Sequence, residues 1–204
     1  MVAHPQRPPV RKPTQQRREE IADVAMRILA REGHRKFTTK YLASMVGITE
    51  GAIFRHFDSM EAIADAIVER MGVALLPSLA WTDAHPLRRL HGFFQHRAAM
   101  LLEKPELGRL LLTDNLLHAA GKAQAARVAA FRRDSQRFVM ECLEQAREKK
   151  LIAMDISLEA MVRLVMGTLM TLGHGGAFTS SPGETIAELW RLIERALRSG
   201  EAPR

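Results

Sequence analysis

The side chains equipped for chemistry are eight histidines, one cysteine and a run of hydroxyls and cations between Thr38 and His56. A metal site needs ligands that converge. His91 and His96 are five residues apart, which turns them well off one helical face, and His85, His118 and His174 have no spaced partner. No metal is expected from such a set. Gly173-His174-Gly175-Gly176 has the small residues of a phosphate cradle. It follows an apolar helical pattern rather than a strand and lacks a Lys-Ser/Thr pair, so it reads as a helix stop. No nucleophile is spaced for activation by a base and no cofactor loop is present, so neither an enzyme nor a cofactor is expected. What remains is recognition of nucleic acid. Arg55 can offer its guanidinium bidentately to guanine O6 and N7, or else meet a phosphate. Glu50 suits the first turn of a helix whether or not it touches a base.

These residues need a scaffold, and Thr38 to Phe57 supplies one. Thr38 or Thr39 can cap a short helix with Leu42, Ala43 and Val46 on its apolar face. Gly47 breaks it, and Thr49 recaps a second helix whose inner face is expected to be Ile53, Phe54 and Phe57. Glu50, Gly51, Ala52, Arg55 and His56 are left outside. Two short helices joined by a tight turn make a helix-turn-helix, the unit that lays its second helix in a DNA major groove.

The charge distribution agrees. Of the formal net charge of +7, residues 1–60 carry +5, which suits a partner made of phosphates. Residues 1–13 hold Pro5, Pro8, Pro9 and Pro13 with Arg7, Arg11 and Lys12. They read as a disordered tail, either solvated or acting as a basic arm in a minor groove. From Thr14, Ile21, Val24, Ala25, Ile28 and Leu29 follow helical spacing until Gly33. Asp58 or Ser59 opens a connecting helix with Ile63, Ile67, Met71 and Leu75 in its stripe, ended or kinked by Pro77. Further helices are expected over 87–103, from Pro105 to about Leu112, and from Lys122 to Lys150 on a seam of Val128, Phe131, Ser135, Phe138 and Cys142. Two more follow, over 157–173 and 182–198. The fold class is all-α, about nine helices. It divides into a tail (1–13), a DNA-binding domain (14–76) and a helical domain (77–204). One cysteine excludes an intramolecular disulfide, and the apolar part of the longest uncharged run, Leu164 to Phe178, is 15 residues interrupted by glycines, short of the roughly 20 a membrane span needs. With no signal-peptide pattern either, the expectation is a cytoplasmic protein away from membranes.

Residues from about Gln15 to Val73 resemble the DNA-binding domain of the TetR family of bacterial regulators. The features that carry the resemblance are Ile21 to Leu29, Gly33, Thr38-Thr39, Leu42-Ala43, Val46-Gly47-Ile48-Thr49, Gly51, Arg55-His56-Phe57 and Ser59 with Glu61. The resemblance implies that Thr39 meets a phosphate at a helix N-terminus. It also implies that Thr49, Gly51, Ala52 and Arg55 face the groove and that His56 contacts backbone phosphate. The DNA-facing set is thus Thr38, Thr39, Lys40, Thr49, Gly51, Ala52, Phe54, Arg55 and His56. Two positions depart from the family pattern. Phe54 stands where a tyrosine is usual and Met60 where a lysine is usual, which removes two phosphate contacts and predicts a shallower salt dependence, unless the tail or Lys40 compensates.

Beyond Pro77 the resemblance implies dimerisation and ligand sensing. The two C-terminal helices hold more apolar surface than one core needs, and a four-helix interface with a second copy would cover it. Leu164, Gly167, Thr171, Leu189, Trp190, Ile193 and Leu197 are the expected interface. The pocket is expected among the helices of 87–112 and 122–148, with Trp81, Phe94, Leu110, Phe131 and Met166 as walls. Met154, Met161, Met166 and Met170 can line an adaptable pocket, or serve as core or subunit contact. The expected function is a repressor that binds double-stranded DNA at a palindromic operator as a homodimer and is released by a small apolar effector. The alternative is an effector-independent DNA-binding protein with an architectural or cell-division role.

Overall fold

The computed structural model describes residues 14–173 and 181–198. The proline-rich tail and the His174-Gly175-Gly176 stretch lie outside them. Within them the chain is all-helical: α1 (Thr14–Arg31), α2 (Thr39–Val46), α3 (Glu50–Ile53), α4 (Met60–Leu75), α5 (Pro86–Glu103), α6 (Pro105–Leu112), α7 (Asn115–Ala120), α8 (Lys122–Glu148), α9 (Leu158–Gly173) and α10 (Pro182–Arg198). The expected nine helices are present together with α7, one helix more than the sequence pattern predicts.

The capping chemistry follows the sequence. Thr38 Oγ1 accepts from the Tyr41 amide at 3.2 Å, Thr49 Oγ1 from Ala52 at 3.2 Å and Ser59 Oγ from Ala62 at 3.1 Å. Each satisfies one of the amides that a helix start leaves without a partner. Gly47 has φ 77°, and its amide donates to the carbonyls of Ala43 and Ser44, closing α2 in a left-handed turn that a side chain would strain. Pro86 and Pro105 occupy first helical positions, where a missing N–H costs nothing.

One continuous apolar core joins the two halves of the chain. Helix α1 packs on α2, α4 and α6; α4 packs on α7 and α8; α5, α8 and α9 form the centre of the C-terminal part, with α10 laid on α5. Two glycines bring a pair of helices into close approach. A Cβ built on Gly108 would stand 2.6 Å from the Gly173 Cα, so α6 and α9 touch backbone to backbone there. Polar ties bind α1 to the C-terminal half. Arg31, the last residue of α1, pairs with Glu106 in the first turn of α6 at 2.5 Å, and Asn115 donates to the Leu29 carbonyl at 2.9 Å. Burial pushes the Glu106 carboxyl up, but its own backbone amide, Arg31 and Arg109 together outweigh that and hold it below its usual value.

Candidate nucleic-acid interface and effector crevice

The turn between α2 and α3 fixes which residues of the motif can reach a partner. Leu42, Ala43, Ile53 and Phe57 are buried and hold the two helices together. Thr38, Lys40, Thr49, Glu50, Gly51 and Arg55 are exposed; Thr39, Ala52 and His56 are half-buried. All nine expected DNA-facing residues therefore keep surface. Two corrections are needed. The second helix is a single turn, Glu50–Ile53, with 54–56 forming a turn rather than continuing to Phe57. Phe54 does not belong to the inner face: it is 48% exposed and points away from the core that Ile53 and Phe57 enter. Without the continued helix, the three-residue step from Phe54 to Phe57 no longer places both rings on one face.

Gly51 is informative by what surrounds it. A Cβ there would meet nothing within 4 Å, so the protein's own packing does not require glycine. Its smallness leaves room for an outside surface to approach the backbone. His56 Nδ1 is buried and has no hydrogen-bond partner among the described residues, and the His56 carbonyl accepts from Arg18 Nη1. The Arg18 guanidinium also lies over the Phe57 ring, 4.2 Å from its centre. Arg18 thus pins the end of the recognition unit to α1. Sequence reading passed over it, because on α1 it sits among the polar residues of an exposed face. Arg70 adds a second tie, from α4 to Asp23 of α1 at 2.5 Å.

The C-terminal part contains a crevice bordered by α5, α6, α8 and α9. Phe131 and Met166, two of the five residues named for a pocket wall, line it with Leu101, Gly108 and Met170. The cavity proper is about 40 Å³, and the whole crevice, counted with the solvent space at its mouth, is about 430 Å³. Phe94 and Leu110 are corrections: both are fully buried and lie outside this lining, Phe94 against Trp190 at 5.6 Å between ring centres. Trp81 is another. It lies flat over Gly92, where a Cβ would stand 2.2 Å from the indole, and borders a separate surface hollow.

Two arginines in the crevice lining escaped the sequence reading. Arg97 is 4% exposed. Its Nη2 donates to the Leu75 carbonyl at 3.1 Å and to Ser78 Oγ at 2.7 Å, and its Nε to the same oxygen at 3.2 Å. Burial pulls its pKa down to about 10, so it stays charged at neutral pH. Arg132 lines the same crevice, and its buried Nε has no hydrogen-bond partner among the described residues. The signal in the sequence was Arg97 itself, a charge on the Leu90, Phe94, Leu101 face of α5.

The C-terminal helices need one more correction. Trp190, Ile193 and Leu197 are 6%, 2% and 1% exposed within a single chain and have no face to offer a second copy; α10 turns them onto α5. Leu164 and Leu192, 40% and 57% exposed, point outward instead, with Thr171 exposed and Gly167 and Leu189 half-buried. Among the histidines, His91 stacks on Trp190 at 4.5 Å, and burial lowers its pKa against the opposing pull of Glu194. Among the described residues no three of His, Cys, Asp and Glu cluster as a metal site would require. No helix among them is long and apolar enough to cross a membrane.

A capped helix-turn-helix with an outward face, carried on α1 and α4 and joined to a larger helical part, is the architecture of bacterial DNA-binding regulators. Residues 21–73 match the family described as bacterial regulatory proteins, tetR family, and the fold as a whole is the one seen in solved regulators of that family. A relative of nearly the same length is the nucleoid occlusion factor SlmA of Mannheimia succiniciproducens, 27% identical over 186 residues covering 88% of this chain and 86% of that one. Among solved structures, the ketosteroid transcriptional regulator KstR2 of Mycobacterium tuberculosis superposes with a TM-score of 0.77 at 17% identity, covering 90% of this chain and 95% of that one. AibR, solved in complex with isovaleryl coenzyme A and operator DNA, gives 0.70 at 16% identity over 89% and 98% of the two chains.

Proposed function

We propose that the protein is a transcriptional repressor that binds a palindromic operator as a homodimer and leaves it when a small molecule enters the C-terminal crevice. The observation that carries this reading is the outward surface of α3 together with its N-cap and the turn that follows it. Thr49, Gly51 and Arg55 face outward while Ile53 and Phe57 are locked inside, in a segment that matches the TetR family. Base edges are read by the side chains a recognition helix turns outward. Dimerisation is supported by Leu164 on α9 and Leu192 on α10, and by Gly167, where open space stands in place of a Cβ. Two recognition helices related by a two-fold axis match two half-sites one helical turn apart. An effector acts by favouring one arrangement of α4 over another, since α4 joins the two parts.

A second reading rests on the relative's name. That relative is named as a nucleoid occlusion factor rather than as a transcriptional regulator, so an effector-independent cell-division role is a reading that fits the same N-terminal domain. Genome-wide occupancy with expression profiling of a deletion strain separates the two. Binding confined to a few promoters, whose genes rise on deletion, supports the repressor. Many sites away from promoters, with unchanged neighbouring transcripts, would support the second reading and sink the first.

A further inference from the structure

We propose that the crevice is a site for an aliphatic carboxylate, with Arg97 and Arg132 as its anion-binding groups, and that the carboxylate draws Arg97 away from the end of α4. The inference deepens the repressor reading by naming the effector class, and it rests on that reading only for its link to DNA.

The argument starts from a charge imbalance. Two guanidinium groups line the crevice and no acidic side chain does. Arg97 is almost fully buried, and its partners are a carbonyl and a hydroxyl rather than a carboxylate. No ion pair of Arg97 or Arg132 is found among the described residues, and Arg132 Nε is buried with nothing to donate to. A buried cation keeps its desolvation cost until an anion offsets it. A carboxylate matches the planar guanidinium fork with two parallel hydrogen bonds.

The rest of the lining sets the body of the ligand. Leu101, Leu111, Leu112, Phe131, Met166 and Leu169 present hydrocarbon and thioether, which suits an alkyl chain and not a sugar or a nucleotide. The cavity proper is too small for such a chain as it stands. The unbranched methionine can turn aside in a way that β-branched residues cannot, so a chain entering from the open mouth can widen it.

Arg97 connects the site to the lever. Leu75 is the last residue of α4, and its carbonyl accepts from both Arg97 Nη2 and Ser78 Oγ, the latter at 2.7 Å. A carboxylate that recruits Arg97 removes the one donor that reaches that carbonyl from α5. On the other wall, Phe131 stands against α4, since a Cβ on Gly72 would lie 3.2 Å from its ring. Filling the crevice therefore acts on α4 at two points, Leu75 and Gly72.

The test is calorimetric titration of the full-length protein, without DNA, with octanoate and with 1-octanol. Octanoate is expected to bind at one site per chain and octanol at least about tenfold more weakly. Arg132→Gln, which breaks no hydrogen bond within the fold, is expected to weaken octanoate by about tenfold to a hundredfold, the range of a charge-assisted contact, and to leave octanol unchanged. Arg97→Lys keeps the charge without the fork and serves as the second variant. Amide exchange over residues 70–80 is expected to quicken with octanoate and not with octanol. Equal binding of the two probes, no binding of either, or full octanoate affinity in Arg132→Gln would overturn the site. Binding with unchanged exchange over 70–80 would overturn the link to α4. Because no DNA is present, none of these failures touches operator binding, which is measured separately.

Discussion

Arg97 Nη2 donates to the carbonyl of Leu75 at 3.1 Å, so a buried cation of α5 closes the last turn of α4. Its pKa is lowered by burial, and no carboxylate offsets its charge among the described residues. The desolvation cost therefore weighs against two hydrogen-bonded oxygens, one of which, the Leu75 carbonyl, keeps Ser78 as a donor. Arg97→Met, similar in reach and uncharged, is expected to change stability by no more than about 1 kcal/mol, and in the stabilising direction if desolvation wins. Arg97→Ala leaves a void and is expected to cost about 2–4 kcal/mol. Urea unfolding of the two variants checks this; equal large losses would mean the guanidinium is a net stabiliser.

The backbone contact of Gly108 with Gly173 leaves no space for a methyl group. Gly108→Ala puts a carbon 2.6 Å from a Cα that no rotamer can move, so α6 and α9 must part. A loss of about 1–3 kcal/mol is expected in urea unfolding.

Gly51 offers the opposite case. Alanine there meets nothing inside the protein, and alanine favours a helix by about 0.5–1 kcal/mol over glycine. Gly51→Ala is expected to leave stability unchanged or slightly raised while weakening operator binding by about tenfold or more. Comparing thermal unfolding with a gel shift separates the two effects, and full DNA affinity would remove Gly51 from the interface.

The Arg31–Glu106 pair predicts a pH dependence of definite sign. Glu106 is held below its usual carboxyl pKa in the folded chain. Its stabilising contribution is therefore complete above about pH 4.5 and is lost as pH falls through the lowered folded value. Glu106→Gln is expected to lower the melting temperature more at pH 6 than at pH 3.5. A loss of equal size at both would assign the effect to packing.

Met60 and Phe54 predict a shallow salt dependence. Met60→Lys restores a cation beside the capped start of α4, and each added phosphate contact is expected to steepen the slope of log K against log salt by about 0.9. A dimer with two such lysines would steepen by about 1.8. Binding isotherms at several salt concentrations measure it; an unchanged slope would place residue 60 away from the backbone.

Much of this was legible in the sequence because local rules decided it. Thr38, Thr49 and Ser59 cap where their types predict, Gly47 adopts the left-handed turn, and the helical stripes of α1, α4, α5 and α8 are the buried faces. The misses were tertiary. Phe54 was assigned inward by spacing, but α3 stops after one turn and the ring swings out. Trp190, Ile193 and Leu197 were assigned to a second copy because periodicity shows which face is apolar and not what covers it; α5 covers it. Helix α7 is too short to display a period. The crevice depends on four helices meeting, so Phe94 and Leu110, apolar and nearby in sequence, were indistinguishable from the true lining residues until their burial was known.

The central claim is that the exposed face of α3 reads DNA sequence, and fluorescence anisotropy on duplexes tests it most directly. The probes are the region upstream of the protein's own gene and a scrambled duplex of equal length, at one fixed salt concentration. The upstream duplex is expected to bind about a thousandfold or more tightly than the scrambled one. Arg55→Ala is expected to lose about 1–3 kcal/mol on the upstream duplex and much less on the scrambled one. Equal affinity for both duplexes across the upstream region, or an equal loss on both in Arg55→Ala, would contradict it.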